Sequence, residues 1–182
     1  MQMKRQWLII IILFFSILTN AQTISRFLDF HLGQSKYEVQ NIVNTKYRGA
    51  EWNNDNCKIK NISLAGESFD MLTLSFQNGS LTNAIFARSY ERKFIEGYNN
   101  SVRFLEYAQQ QAKNMISRLY TSYVSKYGKE SAQTDNMIIW RDYNGKSIRI
   151  QYNQQFFDHG TGDYLVTCIV NVVYCSISND NF

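Results

Sequence analysis

Proline is absent from this chain of 182 residues, histidine occurs only at His31 and His159, and cysteine only at Cys57, Cys168 and Cys175. Without proline there is no proline-rich linker to hold two domains apart. Two histidines, with no cysteines at finger-like spacing, leave little from which to build a zinc site. Charge of one sign is scarce as well. Setting aside Lys4 and Arg5 near the amino terminus, 17 basic residues face 15 acidic ones, a balance of +2. Such a balance is no footprint for nucleic acid or an anionic membrane. Neither a glycine-rich phosphate loop nor a Gly-x-Ser-x-Gly elbow occurs.

One long apolar run exists, Trp7–Leu18, broken only by Ser16. With Lys4 and Arg5 before it and Thr19-Asn20-Ala21 after it, residues 1–22 have the layout of a secretory signal. The run is shorter than the ~20 residues a membrane-spanning helix needs. No cysteine follows it closely, which argues against a lipid anchor. The expectation is a secreted or periplasmic protein with no stable membrane span after signal removal. Its mature chain, residues 23–182, suits a single domain.

Aromatic residues are plentiful, with 12 Tyr and 12 Phe, so the material for a core is present. The strongest periodic signal lies in Phe104–Gly128. Apolar residues at 104, 105, 108, 115, 116, 119, 120, 123 and 124 return to one face of a helix. Gln109, Gln110, Lys113, Arg118, Ser122 and Lys126 mark the other face, and Gly128 marks the stop. A second, shorter helix is predicted after Ser35, because Ser35-Lys36-Tyr37-Glu38 fits a capping box. Val39, Ile42, Val43 and Tyr47 follow it at helical spacing, and Gly49 closes it.

Strands are predicted at 58–64, 69–76 and 81–88, the last two joined by a tight turn at Asn78-Gly79. A later set covers 137–141, 147–152 and 163–177, with Asn144-Gly145 in its first turn and a bulge expected near Asn171. Residues 51–56, 129–135 and 154–162 read as loops, and 90–103 as an irregular connection. Both halves thus run helix, glycine stop, polar loop, three strands. Lys46-Tyr47 and Lys126-Tyr127 occupy the same place at the two helix ends. The expected fold is α+β, an antiparallel sheet of two α-β-β-β repeats, about 30–90 and about 104–177, with both helices on one face. A single such unit is too small to bury both its faces.

Gly33, Ser35, Lys36, Glu38 and Val39 in the segment FHLGQSKYEVQNIV resemble the helix entry of the small β-barrel-assembly lipoproteins of bacterial envelopes. The doubled helix-and-meander plan also resembles the β-lactamase inhibitor proteins. The chain departs from the first in lacking a lipid-carrying cysteine and in being doubled, and from the second in having no pair of spaced disulfides. The resemblance implies an exported, non-catalytic module whose sheet face or loops grip another protein, and it assigns no binding residue.

Chemistry has one concentrated candidate. Asp158, His159 and Asp163 flank glycines in DHGTGD, and could serve a hydrolase or a metal-dependent enzyme; the plain reading is a turn between strands. Glu51–Asn56 offers oxygen ligands but lacks the spacing of a calcium loop. Cys57 follows this loop without a recognisable catalytic partner. Cys168 and Cys175, seven apart in one predicted strand, would be ~23 Å from each other, whereas a bridge needs ~7 Å or less. Any disulfide would therefore join Cys57 to Cys168 or Cys175, and three unbridged thiols is the other reading. Arg88–Phe94 interleaves bases and rings as single-strand binders do, but Glu91 and Glu96 dilute it and a solvated connection is expected. The tyrosines at 107, 120, 123 and 127 read as core with their hydroxyls at the rim. Residues 23–182 are thus expected to recognise another envelope or extracellular protein, without cofactor or metal.

Overall fold

Local chemistry starts the first helix as its sequence dictates. In the computed structural model, which describes residues 24–95, 97–158, 160 and 162–176, α1 spans Lys36–Lys46 and its N-cap is Ser35. The Ser35 side chain accepts from the Glu38 N–H, and the Glu38 carboxylate accepts from the Ser35 N–H at 3.1 Å. Such a box is worth about 1 kcal/mol. The second helix, α2, spans Tyr98–Tyr127, longer at its start than periodicity alone predicts. Gly128 ends it at a φ of 79°, a conformation that a side chain would strain.

Ten strands accompany the helices among the described residues. A lead-in hairpin pairs β1 (Arg26–Phe27) with β2 (Phe30–His31). The rest are β3 (Glu51–Asn53), β4 (Asn56–Leu64), β5 (Glu67–Gln77), β6 (Ser80–Phe94), β7 (Ala132–Gln133), β8 (Met137–Arg141), β9 (Ser147–Asp158) and β10 (Tyr164–Cys175). They form one antiparallel sheet in the order β3-β4-β5-β6-β10-β9-β8-β7. The fold is α+β, as expected. Each half contributes four strands rather than three, because Glu51–Asn53 and Ala132–Gln133, read as loop, add a short outer strand at each edge. Residues 90–94 and 154–158, also read as connection and loop, continue β6 and β9.

The core follows from strand alternation. Ile59, Leu72, Phe86, Val172, Ile150 and Ile138 lie opposite one another across six adjacent strands. The next row is Cys57, Leu74, Ala84, Tyr174, Ile148 and Trp140. All twelve are buried, in one cluster with Val39 and Val43 of α1 and Met115, Leu119 and Tyr123 of α2. Phe27, Phe30 and Leu32 of the lead-in join the same cluster. The opposite face of the sheet carries half-buried Ile85, Ile169 and Val173 among Thr73, Ser89 and Asn171, and so is not uniformly charged.

Two expectations need correcting. β10 keeps unbroken register with both neighbours from Tyr164 to Cys175, so no bulge occurs at Asn171. The irregularities fall in the first half instead, at Ser75/Phe76 and at Asn61, whose φ is 54°. Tyr107 is exposed rather than core, lining an open groove with Arg92 and Phe94 of β6. The question of a disulfide, left open by the sequence, is decided: no bridge joins Cys57, Cys168 and Cys175. Three strand steps separate β4 from β10, about 14 Å at ~4.8 Å each, twice what a bridge allows. Thiol titration in denaturant should therefore count three thiols without reductant, and Cys57 and Cys168, both buried, should stay unreactive in the native protein.

Candidate functional site

Three strands outrun their neighbours. The pairing of β5 with β6 ends at Met71–Ala87, and that of β8 with β9 at Met137–Gln151. Beyond those points β6, β10 and β9 continue together to the row Phe94–Tyr164–Asp158. This three-stranded tongue lacks the hydrophobic alternation of an ordinary strand; its extent is set by pairing with β10. The first turns of α2 lie on it, and the two meet through rings.

Phe94 sits 5.6 Å from Phe104, and Phe104 6.2 Å from Tyr107, measured between centroids. Tyr98 packs at 5.6 Å on Tyr164 and 6.3 Å on Phe156, which in turn lies 5.6 Å from Tyr164. Much of this cluster faces solvent. Tyr98 is 58% exposed, Tyr107 57%, Phe156 36%, and neighbouring Ile95 and Phe157 75% and 45%. Among the described residues, five of the eight exposed large hydrophobic side chains thus gather at one end of the sheet. Scattered apolar residues need no explanation, whereas a concentrated aromatic patch marks an interaction surface.

Cations rim the patch. The Arg92 guanidinium lies over the Phe94 ring at 5.3 Å. A groove of about 600 Å3 runs alongside, lined by Arg92, Phe94, Asn100, Arg103, Phe104 and Tyr107. Lys93, on the other face, pairs with Asp163 at 3.3 Å. Farther back Arg88 lies over Tyr90 at 5.5 Å and bonds Asp70 at 2.7 Å. Sequence reasoning singled out Arg88–Phe94 for its alternation of base and ring but read it as a solvated connection. Folding turns it into a strand and brings Arg103, Phe104 and Tyr107 against it from α2.

The DHGTGD loop fares differently. Asp158 accepts a hydrogen bond from the Gly160 N–H at 2.8 Å, a turn-forming contact, and Asp163 is engaged with Lys93. His159 lies outside the described residues, as does the segment 1–22 whose layout suggested a secretory signal. In the 51–56 segment, Glu51 bonds Lys60 at 2.6 Å, which lowers its pKa, and Asp55 bonds Lys36 at 3.1 Å. Those carboxylates stabilise the turn from β3 to β4 and do not converge. No group of three His, Cys, Asp or Glu side chains suited to a metal occurs among the described residues. Burial pushes the Cys57 thiol up to about 11, so it is protonated and a poor nucleophile at neutral pH.

A second concavity of about 500 Å3 opens between α2 and the β8–β9 edge, with Ile116, Tyr120, Ile138, Ile150 and Tyr152 in its lining. Lys113 and Asp135 stand there as its charged groups, without a partnered acid and base. Of the two concavities, the one at the tongue has the exposed rings and arginines that recognition uses. No protein-family model matches the chain, and neither a curated protein nor a solved structure matches it significantly.

Proposed function

We propose that this is an exported, non-catalytic recognition module that binds another envelope or extracellular protein through the aromatic end of its sheet. The single observation behind this reading is the tongue itself. Rings of Tyr98, Tyr107 and Phe156 are held in contact with their neighbours yet left open to water, with Arg92 and Arg103 beside them. Tyrosine and arginine on a rigid support lose little conformational freedom on docking, which is why such groups dominate binding energies.

The same reading takes the two halves as copies of one helix-and-meander unit. Ile59, Leu72 and Phe86 occupy in the first half the positions of Ile138, Ile150 and Val172 in the second, mirrored about the β6–β10 seam. Lys-Tyr recurs at the two helix ends one position out of step: Tyr47 caps α1, whereas Tyr127 is the last residue of α2. A doubled unit of this kind accords with the resemblance to the β-lactamase inhibitor proteins. The lengthened β6, β9, β10 and α2 then form an addition at the seam, and the addition carries the binding surface.

The test is capture from the source's own envelope extract with the tagged protein, against a Tyr98→Ser/Tyr107→Ser double variant. Retention of the partner should fall at least about tenfold, since two hot-spot rings exceed ~1.4 kcal/mol together. The thermal midpoint should barely move, because both side chains are more than half exposed. Equal capture by both proteins would exclude this surface.

A further inference from the structure

Resting on that reading of the tongue as a binding surface, we propose that the partner contributes an extended acidic segment that docks as an added strand along the free side of β6, at Tyr90–Phe94. β5 leaves β6 after Met71–Ala87, and a side chain takes over where the strand stops. The Asp70 carboxylate accepts the Ser89 backbone N–H at 2.7 Å, imitating the carbonyl a neighbouring strand would have offered. Ser89 thus points its N–H to the β5 side. By the alternation of a strand, so do Glu91 and Lys93. Both are exposed, and no strand among the described residues pairs with them there. The segment is straight, keeping unbroken register with β10 from Asn83 to Phe94, and it contains no proline. Neither a bulge nor a proline guards this stretch of edge, which is left to the charges of Glu91 and Lys93.

Charge selects what can pair there. Side chains of an added strand that point to the helix side would enter the groove between Arg92 and Phe94 on β6 and Arg103, Phe104 and Tyr107 on α2. Among the described residues neither Arg92 nor Arg103 is ion-paired; Arg92 has only its contact over Phe94. Carboxylates at alternate positions of the incoming segment would meet both guanidiniums through charge-assisted bonds, and an aromatic or aliphatic neighbour could lie on Phe104 and Tyr107. Backbone bonds supply sequence-independent affinity and the groove supplies the preference, which is the logic of strand addition. A basic segment would face two uncompensated arginines.

Phage-displayed random nonapeptides selected on the folded chain, then resynthesised with a fluorophore, provide the probe. The selected peptides should carry Asp or Glu at alternate positions. Lys93→Pro removes one outward N–H without touching the β6–β10 ladder, and should weaken them at least tenfold. Lys93→Ala, which equally removes the ion pair to Asp163, should change affinity less than threefold. Arg92→Glu/Arg103→Glu should also cost tenfold or more. Should Lys93→Pro unfold the protein, peptides N-methylated at every second amide answer the same question: one methylation register should abolish binding and the other leave it. No enrichment, selected peptides without acid, or binding indifferent both to Lys93→Pro and to N-methylation would overturn the added strand. Peptides lost on Tyr98→Ser/Tyr107→Ser but indifferent to those two changes would leave the aromatic surface standing and remove only the strand. Envelope-partner capture indifferent to the tyrosines would remove the surface itself.

Discussion

Replacing Phe86 with alanine is expected to cost about 3–5 kcal/mol and to lower the unfolding midpoint by roughly 10 °C or more. Phe86 is fully buried on β6, one of the two central strands of the sheet, directly opposite Val172. Its ring meets Phe27 at 5.9 Å, Phe69 at 5.6 Å and Tyr174 at 6.1 Å. Those three belong to the lead-in hairpin, the first half and the second half. A cavity there is felt by every layer, and it cannot close without shifting strands that are paired on both sides. The loss should come as one cooperative transition. Trp52 on β3 and Trp140 on β8 report on opposite ends of the sheet, so their fluorescence in single-tryptophan variants should shift at the same urea concentration. Two separated midpoints would show that each half stands alone, contrary to the shared core.

How far this arrangement could be read beforehand differs by element. Ser35 and Glu38 announce α1, and Asn78-Gly79 announces the β5–β6 turn, because caps and tight turns are satisfied within a few residues. The outer strands β3 and β7 are hidden since two or three residues carry no period. The tongue is hidden for another reason. Between Ser89 and Phe94 two rings enclose three consecutive charges, Glu91, Arg92 and Lys93, with no apolar and polar alternation, and only pairing with β10 makes them a strand. One signal could have exposed it: the β-rich run near the carboxyl terminus is too long for partners that stop at Arg88 and Tyr152. A central strand of that length needs neighbours of equal length, so 89–94 and 153–158 had to be strand. Arg103 could not have been placed in the groove at all, because the α2 start lacks apolar periodicity and docks through Phe104 and Tyr98.

The largest pH effect should appear on the alkaline side, where stability is expected to fall by about 2.7 kcal/mol per pH unit above about pH 10. Tyr123 and Tyr174 share a buried hydroxyl–hydroxyl bond of 2.8 Å between α2 and β10. Burial raises the pKa of both, most strongly for Tyr174, because a phenolate there would lack water. In the unfolded chain both titrate near 10. Above that pH the unfolded chain therefore holds fewer protons than the folded one, and the balance tips toward unfolding. Their contribution is fully present below about pH 10 and is lost as the pH climbs toward the folded values, at ~1.36 kcal/mol per unit for each group. Cys57 acts earlier in the same direction: its thiol titrates near ~8.5 when unfolded but at about 11 in the fold. Urea midpoints should thus hold steady from pH 6 to about 8.5, sag slightly, then drop steeply past 10. The Tyr123→Phe/Tyr174→Phe variant, which loses both acids along with their shared bond, should show a shallower decline, the remainder coming from Tyr47 and Tyr152, whose pKa values burial also raises. A variant falling as steeply as the parent would mean that the seam between α2 and β10 admits water, and that these two rings are not the buried contact on which the long helix rests.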